Sequence, residues 1–412
     1  MSALRFCLLT TFYPPAGFGG DAIQVQRLAH LLADDGHDVT VVHSPGAYRA
    51  LAGRAPEAPR DHPGVRVIAD QDGTSRLPPI ASHLAGRPLL TARRLRSVLE
   101  QDFDVLHFHN PSLLGGPALL RMGHGLKLYT AHEQWLTCPT HVLWKYQRRV
   151  CEAPQCWRCA VTYRRPPQLW RSSGMLERSV AQLDALIVPS RTSAELHARF
   201  GSITRIEELA HFVPHPDEAL ERAGGQGEAR RPYFLVVGRL EPIKGVGSVI
   251  AAFRHRRSED LLIAGAGTLE PELRSQAADL PHVRFLGWRE GAQLDALYRG
   301  ALAVIVPTLG HESFGIVAVE AFARGTPVVL HRFGALAELA AHERALTYGD
   351  GGELLEALAR LAASADLRES LATRGRAAYA REWTPERHLT RYLGLIDDVA
   401  RSRRRAAPVS VP

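Results

Sequence analysis

Apolar residues along this chain fall into short dense runs, separated by stretches in which they recur every three or four positions. Dense runs rich in Val, Ile, Leu and Phe read as β-strands, and the three-to-four spacing between them reads as helix. The first half gives "LRFCLLT", "HDVTVVH", "VRVIA", "DVLHFH", "LKLYTA" and "DALIVPS". The second half gives "YFLVVG", "DLLIAG", "VRFLG", "LAVIVP", "TPVVL" and "RALTYG". The first helix, "DAIQVQRLAHLLADDG", has apolar residues at 22, 23, 25, 28, 29, 31 and 32. Asp21 is placed to cap it and Gly36 to end it.

Strand and helix alternate throughout, which predicts parallel α/β layers. A chain of 412 residues exceeds the size at which one core keeps growing, so two domains are expected. The Pro-, Gly- and charge-rich segment "HFVPHPDEALERAGGQGEARRP" reads as the linker between them. The expected fold is α/β, two doubly wound Rossmann-like domains facing a cleft, with ligands at the strand C-termini. The expected boundaries are 1–213 for the first domain, 214–232 for the linker and 233–384 for the second domain. A C-terminal helix over 385–400 is expected to pack back on the first domain, ahead of a disordered basic tail, 401–412.

Bulk composition, 45% hydrophobic and 23% charged, is that of a soluble globular protein. No run of about 18 apolar residues is present, so no transmembrane helix is expected. "MSALRFCLLTTFYPP" reads as a first strand rather than a signal peptide, which makes a cytoplasmic location the expectation. The net charge of +7 is uneven. Lys145 to Arg178 holds eight Lys/Arg against two Glu, the tail "RSRRR" adds four arginines, and the rest is near neutral. That distribution argues against a nucleic-acid coat and for an anionic surface or a phosphate-bearing substrate. The basic window also carries Trp144, Tyr146, Trp157, Tyr163 and Trp170.

Four loops carry candidate chemistry. In "PPAGFGGDA", Gly17, Gly19 and Gly20 precede a helix whose N-terminus favours an anion, although glycine-rich turns before helices are common for structural reasons alone. "VGRLEPIKG" follows a strand, and Gly238, Arg239 and Lys244 lie on the ligand side, where two cations can neutralise a diphosphate. "LIAGAGTLEPEL" places Gly265 and Gly267 after a strand, but its glycine pattern is incomplete for a dinucleotide site. In "TLGHESFGIVAVEAFARG", Glu312 precedes a helix expected to begin at Ser313. The amides of Ser313 to Val317 would receive a diphosphate. Glu320 lies inside that helix, and a carboxylate accepts from two vicinal hydroxyls, so Glu320 suits a ribose and Glu312 a sugar. The bland reading of the same stretch is a helix with an acidic mouth. The pair Asp70-x-Asp72 in "ADQDG" reads as a turn.

These motifs, with "FLGW" and "FGALAEL", stand in an order that resembles the family-4 retaining glycosyltransferases of the GT-B fold. The likeness covers both halves and is most specific over 233–340. It implies hexosyl transfer from a nucleotide-sugar donor with no catalytic divalent metal. Arg239 and Lys244 would hold the donor diphosphate, Glu312 the sugar and Glu320 the ribose, with the amides of Phe314, Gly315 and Ile316 over the phosphates. By the same likeness His132 in "LYTAHEQW" sits near donor sugar and acceptor. His109 and Asn110, at another strand end, are acceptor-side candidates. The acceptor would be a glycan, a lipid-linked or a small molecule, in cell-envelope or exopolysaccharide biosynthesis. A nucleotide-sugar epimerase or sugar phosphorylase of the same fold is the alternative. A further one is a non-catalytic nucleotide-sugar-binding protein with a metal-stapled docking module.

Four of the five cysteines, Cys138, Cys151, Cys156 and Cys159, fall within a basic insertion at about 136–170. Clustered thiols ending in C-x-x-C in a cytosolic chain point to a metal rather than to disulfides. Four thiolates would make a closed structural zinc site, with an iron–sulfur cluster or plain reduced thiols as the other readings. Cysteine-bearing insertions after the histidine occur in some bacterial members of the family that the chain resembles. Such an insertion, basic and aromatic, is expected to touch a lipid-phosphate headgroup or the inner face of a membrane.

Overall fold

The alternation of strand and helix builds two parallel sheets. They are seen in a computed structural model that describes residues 3–54, 61–200, 205–216 and 231–406. The chain divides into two compact units. One comprises residues 1–142, 155–210 and 388–412, and the other 143–154 and 211–387.

The first unit contains β1 (Arg5–Thr10), β2 (Asp38–His43), β3 (Val65–Ala69), β4 (Val105–Asn110) and β5 (Leu126–Thr130). After a short hairpin, β6 (Trp144–Lys145) and β7 (Arg149–Val150), come β8 (Ala185–Val188) and β9 (Ile206–Glu208). The sheet runs β3-β2-β1-β4-β5-β8-β9, every pairing parallel. Side chains of β1 alternate between two cores, as the period of a strand requires. Phe6 and Leu8 pack with Leu28 and Leu32 of the first helix and with Tyr392, Ile396 and Val399 of the C-terminal helix. Cys7 and Leu9 face Leu95, Phe108, Trp135 and Trp170. Both faces are therefore covered, as parallel sheets demand.

Two ends differ from expectation. The first helix spans Gly20–Asp34, and its cap residue is Gly19 at φ +82°, so Asp21 lies inside the first turn rather than capping it. The C-terminal helix spans Pro385–Ala406 and so runs past the expected end at 400. Its continuation has a physical anchor: Arg403 donates to the Gly125 carbonyl at 3.0 Å and to Asp184 at 3.3 Å. Residues 407–412 of the expected tail, and 217–230 of the expected linker, lie outside the described residues.

The second unit contains β10 (Tyr233–Val237), β11 (Asp260–Ala264), β12 (Val283–Gly287), β13 (Ala303–Val306), β14 (Val328–His331) and β15 (Leu346–Tyr348). These pair in parallel in the order β12-β11-β10-β13-β14-β15. Phe234, Val236, Ile263, Ile305 and Val329 form its core with Ile250 and Leu358 of flanking helices. All twelve runs singled out in the sequence are strands. The hairpin β6–β7 and the short β9 are additions. The hairpin also belongs to the second unit, so the insertion expected as one piece of the first domain is divided. Packing explains this: a Cβ placed on Gly310 would meet Ile243 at 2.6 Å and the Trp144 ring at 3.0 Å.

Tyr392 is fully buried, and its hydroxyl lies 2.7 Å from His107 Nδ1. Replacing it with alanine should lower the stability of the first unit by about 3–5 kcal/mol through the cavity left behind. Tyr392→Phe should cost only about 1 kcal/mol for the lost hydrogen bond. Urea unfolding of the full chain with both variants checks the order.

Candidate active site

In each sheet the strand order reverses once, at β1/β4 and at β10/β13, and the loops leaving those strands are where such sheets bind ligands. In the second unit the two loops are locked together. Leu309 N–H donates to the Ile243 carbonyl at 2.8 Å. Gly245 takes φ +68°, and a Cβ there would stand 2.2 Å from the Pro307 carbonyl oxygen. Only glycine fits both the left-handed backbone and that approach. The glycine after Lys244 therefore fixes where the lysine stands.

That register brings the charged candidates together. Lys244 Nζ donates to Glu312 Oε2 at 2.5 Å, and Thr308 Oγ1 donates to the same oxygen at 3.1 Å. Burial pushes the Glu312 carboxyl up, but Lys244, Thr308 and Arg239 together outweigh it and hold the group below its ordinary value. Arg239, Lys244 and Glu312 thus share one field. The segment in front of the helix is pinned by Phe314, buried against His211 and Trp383.

The helix itself spans Ile316–Ala323, with Gly315 as its cap at φ +95°. It starts later than the sequence suggested, because Gly315 breaks the helical backbone and leaves Ser313 and Phe314 in the loop. The first-turn amides that lack an intrahelical acceptor therefore include those of Ile316 and Val317. Glu320 lies in the second turn of this helix. Its Oε2 accepts from the Tyr298 hydroxyl at 2.9 Å, and Arg324 donates to its backbone carbonyl at 3.0 Å. Arg324 also sits 5.1 Å from the Tyr298 ring centre and donates to Asp295, as does Arg299. Neither Tyr298 nor Arg324 was flagged from the sequence, where nothing marks them. Thr308 was missed too, although its place four residues before Glu312 was a usable signal.

The three donor-side glycine candidates of the second unit, Gly238, Gly265 and Gly267, divide into two kinds. A Cβ on Gly238, at φ +145°, would meet nothing within 4 Å, so its glycine follows from backbone conformation. A Cβ on Gly265 would stand 1.9 Å from the Gly238 carbonyl, and one on Gly267 2.4 Å from the Leu240 carbonyl. Those two glycines let the loop after β11 pack on the loop after β10. Leu240 N–H to the Ala266 carbonyl and Leu269 N–H to the Leu240 carbonyl, at 3.0 and 2.9 Å, hold the loops in that packing.

In the first unit, Gly19 and Gly20 start the helix beyond β1, and Thr11 N–H donates to the Asn110 carbonyl at the end of β4. His109 Nδ1 and His132 Nε2 lie 2.9 Å apart, and the rings of His107 and His109 are 4.0 Å apart between centres. His107 Nε2 meets Thr130 Oγ1 at 2.7 Å. Burial, and then the neighbouring His109, hold His132 well below the ordinary histidine value, so it is neutral at pH 7. Asn110 Oδ1 accepts from the Ser112 amide and hydroxyl, which shapes the turn after β4.

Three of the cysteines expected to hold a metal lie near one another: burial pushes the Cys156 thiol up, and Cys138 and Cys159 act on it in the same direction. Among the described residues no group of three or more His, Cys, Asp or Glu is arranged to hold a metal ion, and no disulfide joins the five thiols. Cys151 belongs to the second unit, where its amide donates to the Leu143 carbonyl at 2.8 Å, while Cys138, Cys156 and Cys159 belong to the first. Cys138 Sγ meets Thr140 Oγ1 at 3.2 Å.

Two doubly wound sheets, with a cation pair and a helix-mouth glutamate at one reversal point, define an enzyme of the GT-B class. Residues 18–215 match the profile described as Glycosyltransferase Family 4, and 231–364 that of Glycosyl transferases group 1. The chain is 31% identical over 347 residues to the phosphatidyl-myo-inositol mannosyltransferase of Mycolicibacterium smegmatis, 82% of this chain and 77% of that one. Sucrose-phosphate synthase from Thermosynechococcus elongatus shares the fold with a TM-score of 0.76 at 20% identity, over 97% of this chain and 100% of that one. HepE from Anabaena, in complex with UDP-glucose, does so with a TM-score of 0.65 at 18% identity, over 97% and 99%. The chain belongs to the family-4 glycosyltransferases and is a glycosyltransferase.

Gly265→Ala should abolish the packing of the two loops and lower donor affinity at least about tenfold, while the nearby Gly238→Ala should perturb only the backbone of its own loop; calorimetric titration with nucleotide checks both. A pH dependence also follows. His107, His132 and His388 are all depressed, first by burial, His388 to about 4. The unfolded chain takes up protons near the ordinary histidine value and the native chain does not, so stability is full above about 6.5 and is lost as pH falls below it. Asp70, pushed up to about 7 first by burial, works in the opposite direction but is a single group. The melting temperature should therefore fall between pH 7 and pH 5, with a shallower slope in His388→Asn.

Proposed function

We propose that this chain moves a hexosyl group from a nucleotide-sugar donor to a glycan, lipid-linked or small-molecule acceptor, with retention at the anomeric carbon. No divalent metal takes part in the transfer. The observation that carries this reading is the Lys244–Glu312 pair beside Arg239 on the two loops at the β10/β13 reversal. Two cations and the amides at a helix mouth offer the leaving diphosphate the charge compensation that a metal supplies elsewhere. Glu312 and Glu320 accept hydrogen bonds from the sugar and ribose hydroxyls.

The bond from C1 to the phosphate oxygen breaks as the acceptor oxygen bonds C1 on the same face. The acceptor proton passes to the departing phosphate oxygen, and a nucleoside diphosphate is released. No side chain need act as nucleophile. His132, neutral at pH 7, hydrogen-bonds uncharged hydroxyls of donor sugar or acceptor. UDP-glucose, bound in the Anabaena structure, is the first donor to try. A lipid-linked acceptor has its support in the name of the mannosyltransferase from Mycolicibacterium. The setting is cell-envelope or exopolysaccharide synthesis in the cytoplasm, with peripheral contact at the inner face of the membrane.

Purified full-length protein should be screened by thermal shift and sugar release against UDP-, GDP-, ADP- and dTDP-sugars with EDTA present. One donor family should raise the melting temperature and turn over slowly. Lys244→Ala and Glu312→Ala should each lower turnover by about 100-fold or more. Glu320→Gln should chiefly raise KM. A dependence on added metal, or no shift with any nucleotide sugar, refutes the reading.

A further inference from the structure

Ten large hydrophobic side chains are exposed among the described residues, and eight of them lie in two segments of the first unit, 77–90 and 157–169. The helix Leu77–Ala85 is turned inside out. Pro78, Pro79 and Ser82 are its buried positions, while Leu77, Ile80 and Leu84 are 67, 46 and 48% exposed. Their spacing sets them along one stripe of the helix. Leu89 and Leu90 follow it, at 49 and 64%.

The second segment is fastened beside that helix. Trp170 Nε1 donates to the His83 carbonyl at 2.8 Å, and His83 Nε2 lies 3.0 Å from the Pro166 carbonyl. Gly86, at φ +67°, could not carry a Cβ without approaching the Trp170 ring to 2.7 Å. Leu169, 61% exposed, is therefore held next to the stripe. On the helix Cys156–Thr162, Trp157 and Val161 stand one turn apart at 60 and 73% exposure.

Charge completes the pattern. Residues 76–99 contain five arginines and no Asp or Glu, and 155–172 contain four arginines and again no acid. Arg76, Arg87, Arg158, Arg164 and Arg165 are exposed. Monomeric proteins rarely leave so large an apolar group in water without a partner.

We infer that this face docks on an anionic phospholipid bilayer, with the leucines and Trp157 entering the boundary of headgroups and acyl chains and the arginines pairing with lipid phosphates. A fluid bilayer accommodates separate apolar knobs without matching hollows, and arginine stems can lie along it while their heads stay at the phosphates. This specifies the membrane contact within the proposed function, and rests on that part of it alone.

Co-sedimentation of the full chain with phosphatidylcholine vesicles, with and without about one third phosphatidylglycerol, tests it. Two variants accompany the wild type: L77S/I80S/L84S and R164Q/R165Q, with melting temperatures to verify folding. The wild type should bind the anionic vesicles, and lose at least about tenfold in affinity on neutral vesicles or when salt rises from about 0.1 to about 0.5 M. Each variant should lose a similar factor, while sugar release in vesicle-free buffer stays at the wild-type rate. Equal binding to neutral and anionic vesicles, or variants that bind as well as the wild type, overturns the inference. So does a wild-type dimer that the serine variant converts to monomer, since the face would then join two copies of the chain. Loss of donor turnover with vesicle binding intact would count against the proposed reaction and leave the surface standing.

Discussion

The ion pair between Lys244 and Glu312 joins the loop that leaves β10 to the loop that leaves β13. Its side chains are 25 and 19% exposed, so both charges are largely withdrawn from water. Such a pair adds little net stability, because desolvation offsets most of the attraction. Its consequence is positional. The loops are already clamped by the Leu309–Ile243 hydrogen bond and by the close approach of Gly245 to Pro307, and the pair sets two opposite charges at the clamp. An anion that bound there would compete with Glu312 for Lys244. Arg239 adds a second positive charge to the field at Glu312.

The support beneath the pair comes from unrelated parts of the chain. Trp144 and Ile243 fill the space around Gly310, two residues before Glu312. Phe314, two residues after it, is buried against Trp383, which stacks on Phe322 of the same helix. Tyr298 and Arg324 hold Glu320, two turns further along the chain from Glu312. Each glutamate is thus held by a different set of neighbours, so losing one support should not release both.

The strands were legible because their apolar runs are dense and bounded by Gly, Pro or charge. Arg239, Lys244 and Glu312 were legible because a strand end fixes which side a loop faces. The rest depended on pairings far apart in the chain. Nothing near Gly265 or Gly267 says that their missing side chains make room for carbonyls of the preceding loop. The hairpin at Trp144 joins the second unit through Gly310, more than 160 residues further along the sequence. Cysteine spacing suggested a metal, and nothing in that spacing marks Cys151 as part of a hairpin that groups with the second unit. The helix past residue 400 was hidden by composition: "RSRRR" looks like a solvated tail until Arg403 meets Asp184.

The two reversal points differ in electrostatic character, and that difference bears on what each can bind. The β10/β13 point gathers two cations around one carboxylate. The β1/β4 point gathers His107 and His132, which burial keeps uncharged, with His107 packed ring to ring on His109 and hydrogen-bonded to Thr130 and Tyr392. An imidazole that cannot readily take a proton is a poor partner for a phosphate, and a good one for a neutral hydroxyl, to which it can donate or from which it can accept. Protonating His132 would place a positive charge beside His109 within a buried cluster, and the same burial that depresses its titration opposes that state. The fixed charges singled out here therefore lie at the β10/β13 point, and the β1/β4 point offers neutral hydrogen-bonding groups.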